Sequence, residues 1–74
     1  MEKERIKAIR ERLGLSQAEF ARRYGINRRV FERWELTGAR GSVVEAYLSI
    51  IERDPQTVAR LLGHEQQKPR RKRA

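Results

Sequence analysis

The feature that most constrains this chain is the run at residues 16–36, SQAEFARRYGINRRVFERWEL, where a glycine interrupts two short stretches of helical periodicity. Ser16 and Glu19 stand at capping-box spacing, and Phe20, Ala21 and Tyr24 form an inward stripe on the helix they open. Gly25 can supply the left-handed backbone that stops this helix, and Asn27 can cap the next one two residues later. Helices joined by so short a turn must cross steeply, and Ala21 is small enough to let them approach.

The second of these helices has two faces. Successive residues turn by about 100°, so Arg28, Arg29, Glu32 and Arg33 share an arc of roughly 140°, with Val30, Phe31 and Trp34 on the other side. A helix that buries the apolar set pushes the guanidinium groups outward, where their planar forks could meet guanine edges or phosphate oxygens. A merely solvated charged face is the alternative that the helix alone leaves open.

The remaining pattern completes a small helical bundle. Residues 2–13 are expected to form a first helix, with Ile6, Ile9 and Leu13 inward and Gly14 as its stop. A glycine-rich loop at residues 37–41 carries Arg40. Ser42 and Glu45 repeat the capping-box spacing before a fourth helix, whose Val43, Val44, Tyr47, Leu48, Ile50 and Ile51 give a broad apolar face. Asp54 and Pro55 are a restart signal for a fifth helix, with Val58, Leu61 and Leu62 as its stripe and Gly63 as its end. Helices four and five can serve as bundle members only, or as a dimer contact as well. The tail HEQQKPRRKRA has no apolar anchor and is expected to be a disordered basic arm, either following phosphates or simply solubilising.

Composition narrows the function classes. With 74 residues, 38% of them apolar, there is too little chain for an enclosed active site. A formal charge of +8 and a pI near 11.1 suit a polyanionic partner. No apolar run approaches the roughly 20 residues that span a bilayer, and the charged start EKERIKAIRERL does not read as a signal peptide. The chain has no cysteine, which fits a cytoplasmic setting, there associated with the nucleoid through DNA. His64, the single histidine, has no partners at metal spacing, so no metal or other cofactor is expected. Capping accounts for Glu19 and Glu45, which leaves no carboxylate pair for acid and base work and no expectation of an enzyme.

The segment LGLSQAEFARRYGINRRVFERWEL resembles the helix-turn-helix of the Cro/C1 (lambda and 434 repressor, XRE-type) family, through Leu15, Ser16, Gln17, Ala21, Gly25, Ile26, Trp34 and Glu35. The resemblance implies an all-α, five-helix, lambda-repressor-like domain at residues 1–63, with residues 64–74 as the basic tail. It implies that Arg28, Arg29 and Arg33 touch bases, and Glu32 on the same face is expected to contact a base as well. It further implies that Gln17, Arg23, Asn27 and Arg40 meet phosphates, and that Arg10 pairs with Glu35 in a structural, partly buried ion pair. The function it implies is sequence-specific binding to double-stranded DNA as a homodimer on a two-fold-related operator, giving repression. Two alternatives stand beside it. The ending IERDPQTVARLL resembles antitoxins of the HigA and MqsA types, which would add a toxin as partner; or the fold is a protein-interaction module that has lost DNA binding, for which three outward arginines would serve no purpose.

Overall fold

The computed structural model describes residues 1–63, so the expectations for His64 and the basic tail lie outside the described residues. Among the described residues there are five helices and no strand: α1 Lys3–Arg12, α2 Gln17–Arg23, α3 Arg28–Thr37, α4 Ser42–Arg53 and α5 Pro55–Leu61. The all-α bundle expected from the sequence is the observed one.

Local chemistry starts and stops α2 and α3. The Ser16 hydroxyl accepts from the Glu19 backbone N–H, and the Glu19 carboxylate accepts from the Ser16 N–H at 2.8 Å, which completes the box. These bonds hold the Glu19 carboxyl below its ordinary range. At Gly25 the backbone turns to φ 69°, and Ile26 N–H returns to the Ala21 carbonyl at 2.8 Å. Asn27 Oδ1 then accepts from the backbone N–H groups of both Arg29 and Val30. Gly38 ends α3 at φ 93°, where a side chain would meet the Met1 carbonyl at 3.0 Å.

The core is an aromatic stack across α2 and α3. Phe20 lies 4.7 Å from both Tyr24 and Phe31, and Trp34 meets Phe31 edge-on at 6.2 Å. Ile6 and Ile9 of α1 and Leu48 and Ile51 of α4 are buried in the same cluster. The Tyr24 hydroxyl donates to the Pro55 carbonyl, and the Tyr47 hydroxyl donates to the Tyr24 carbonyl. Both phenols rest in apolar surroundings that push their pKa upward. Through these two bonds α4 and α5 are fastened to the end of α2.

Several expectations fail in α3, α4 and α5. Ser42 does not cap α4: Gly41 is the N-cap, with no side-chain hydrogen bond, and Glu45 instead pairs with the Met1 amine at 2.8 Å. That pairing pulls the Glu45 carboxyl below its usual range. Val43 is 80% exposed and Ile50 54%. The buried side of α4 is set by Val44, Tyr47, Leu48 and Ile51, and helical geometry puts positions 43 and 50 about 100° around from it. Leu61 and Leu62 are also exposed, because the inward face of α5 is Val58 with Ala59, a small residue passed over in the sequence. Leu61 falls about 110° from that face, and Leu62 lies past the last turn. Val30 sits at the margin of the buried face of α3, half-exposed and outside the core cluster.

Candidate nucleic-acid interface

The α2–turn–α3 unit is set against α1 by one polar knot. Arg10 Nε donates to Glu35 Oε2 at 2.6 Å, and its Nη2 donates to Oε1 at 3.1 Å. The remaining Nη1 donates to the Leu15 carbonyl at 2.9 Å. The two side chains are 15% and 6% exposed, so this planar pair acts in a partly dry setting as the expected structural tie. Hydrogen bonding from Arg10 to Glu35 raises the guanidinium pKa further, keeping the charge fixed.

Gln17 is drawn into this knot. Its Nε2 donates to Glu35 Oε1 at 3.0 Å, an engagement the sequence reading did not foresee. A carboxamide carries two N–H groups, so one remains for a phosphate while Glu35 fixes the direction of the other. Asn27 is likewise divided: Oδ1 caps α3, and its amide N–H groups stay available at the helix entrance. Arg23 is half-buried and interacts with the Tyr24 hydroxyl, so it is more tied to the protein than a pure phosphate contact would be. Arg40 is exposed beside Ala39, whose N–H and carbonyl are both bonded to Met1, which pins the loop that carries it.

On α3 itself Phe31 is fully buried, and Arg28, Arg29 and Arg33 are exposed on the opposite arc. Arg28 and Glu32 form an i, i+4 pair, with Nε donating to Oε2 at 2.9 Å. Arg29 and Arg33 make no side-chain hydrogen bond or ion pair within the described residues. Leu36 falls on the same arc at 71% exposure, an apolar member of this face that the sequence reading missed. Its position at i+3 from Arg33 and i+7 from Arg29 was the available signal.

Base-facing candidates are thereby brought to one side of one helix; of the phosphate candidates, Asn27 stands at its entrance, Arg40 in the loop after it, Arg23 at the end of α2, and Gln17 is bonded to Glu35 near the end of α3. Among the described residues, no group of carboxylates and histidines could hold a metal ion, and no helix is long and apolar enough to cross a membrane.

A family model described as helix-turn-helix matches residues 6–35, which span most of α1, all of α2 and most of α3. No curated protein and no solved structure matches the chain. Residues 6–35 are a helix-turn-helix of the Cro/C1 type, and the chain carries the DNA-binding domain of a transcription regulator.

Proposed function

We propose that this chain is a repressor that reads a palindromic operator as a homodimer, with Arg28, Arg29 and Arg33 of α3 in the major groove. The observation that carries the reading is the division of α3: Phe31 fully buried, three guanidinium groups exposed on the opposite arc. A guanidinium fork matches the O6 and N7 acceptors of guanine, so the preferred half-site is expected to contain guanines. Gln17, Asn27 and Arg40 would set the register by phosphate contact, with Arg23 adding charge nearby.

A second copy is supported by apolar surface that the bundle does not use. Val43 and Ile50 share one side of α4, and Leu61 and Leu62 stand exposed at the end of α5. Three base-reading side chains specify only a few base pairs, and doubling the site is the economical way to raise discrimination.

Selection of random duplexes by the purified chain tests both parts. The expected winner is a guanine-containing palindrome with half-sites about one helical turn apart. An enriched site without two-fold symmetry would refute the dimer, and no enrichment at all would refute sequence-specific reading.

A further inference from the structure

Among the described residues, only one of the three outward arginines on α3 has a carboxylate on it. Arg28 opens the helix and Glu32 follows one turn later, with Arg28 Nε donating to Glu32 Oε2 at 2.9 Å. The first turn is itself pinned, because Asn27 Oδ1 holds the backbone N–H groups of Arg29 and Val30. Arg29 and Arg33 lie on the same arc with no such brace among the described residues.

A guanidinium can bind bidentately through its side edge, Nε with one Nη, or through its end edge, the two Nη groups. A carboxylate on Nε occupies the side edge. The end edge keeps its two parallel N–H groups unbonded, the arrangement that fits guanine O6 and N7. Without the brace the long side chain is free to swing onto a phosphate, a contact that carries no base information. Glu32 also has an opposite effect: a negative charge on the DNA-facing arc weakens binding to every sequence alike.

We propose that Glu32 is a positioning residue that holds Arg28 end-on for guanine, raising discrimination at one base pair while lowering affinity overall. This departs from the expectation that Glu32 contacts a base itself, and it rests on the reading of α3 as the groove helix.

The test uses the full chain and duplexes differing at single base pairs, at fixed salt and across a salt series. In Glu32→Ala, affinity for random duplex should rise roughly threefold to tenfold and the salt slope should steepen by about 0.9, since a phosphate contact is gained. Preference for guanine at the position sensed by Arg28→Ala should fall about tenfold in the same variant. Glu32→Gln keeps an acceptor for Nε, so it should retain part of that preference while still gaining non-specific affinity. The double variant Arg28→Ala with Glu32→Ala should discriminate no worse at that base pair than Arg28→Ala alone. Alanine favours the helical state, and melting curves of each variant verify that α3 persists.

Unchanged guanine preference in Glu32→Ala would overturn the proposal and reduce the pair to a helix stabiliser. Preference lost at a base pair that Arg28→Ala leaves intact would overturn it in favour of Glu32 as a direct reader, accepting from a cytosine amine. A parent chain without any base preference would refute the base-reading assignment of α3 and this inference with it. The first two outcomes refute the inference alone.

Discussion

The α2–α3 unit and the α4–α5 pair differ in how fully their sequence signals are met. In α2 and α3 nearly every signal has a counterpart: Ser16 and Glu19 cap each other, Asn27 caps α3, and Phe20 packs against both Tyr24 and Phe31. In α4 and α5 the apolar residues outnumber the places to bury them. Leu48, Ile51, Val58 and Ala59 are inside, whereas Val43, Ile50, Leu61 and Leu62 face out. The lesson is that a two-layer contact of short helices buries an arc of each and leaves the apolar residues outside that arc exposed.

The largest expected effect breaks the comparison at its centre. Phe31→Ala should cost about 3–5 kcal/mol, because it opens a hole beside Phe20 and Trp34. In a domain of this size that lowers Tm by at least about 12 °C. Leu61→Ala should change the stability of the single chain by less than about 0.5 kcal/mol while weakening self-association in sedimentation. Equal losses of stability in the two variants would show that the exposed leucine is packed after all.

The next contrast lies between two identical motifs. Ser16→Ala should cost about 1 kcal/mol, since the hydroxyl caps α2. Ser42→Ala should lie within about 0.5 kcal/mol of the parent, as Ser42 caps nothing. Urea unfolding of both variants checks the pair, and a similar cost at both sites would restore the second capping box.

The smallest effect concerns acid. The Glu52 carboxyl is held below its ordinary range by hydrogen bonding from Arg5, which binds it at 2.6 Å and ties α1 to α4. Glu19 and Glu45 are lowered too. Such groups take up protons in the unfolded chain first, so their stabilisation is full above about pH 4.3 and fades as pH falls toward their folded values. Glu52→Gln should flatten that decline only slightly, because solvent screens a pair at the surface. An unchanged acid limb in thermal melts would mean that the Arg5 contact contributes nothing in solution.

What could be read in the sequence follows the same division. Caps, glycine stops and the Phe31 face depend on neighbours within one or two turns, and they were visible as spacing. The Arg10–Glu35 tie was visible only through a family resemblance, because 25 residues separate its partners. Long-range particulars were not legible: Gln17 on Glu35, Glu45 on the Met1 amine, and Arg5 on Glu52 all require the crossing of helices to be known first. Within the site, the arginine face was read correctly as exposed, yet the Arg28–Glu32 brace was missed although i, i+4 spacing permits it.

The most direct measurement is the affinity of Arg29→Ala on the selected operator and on its single-base variants. Loss of a bidentate contact should cost about 1–3 kcal/mol on the best site and relax preference at one base pair, with other positions unaffected. Binding equal to the parent on every duplex would contradict the claim that the arginine face of α3 reads DNA.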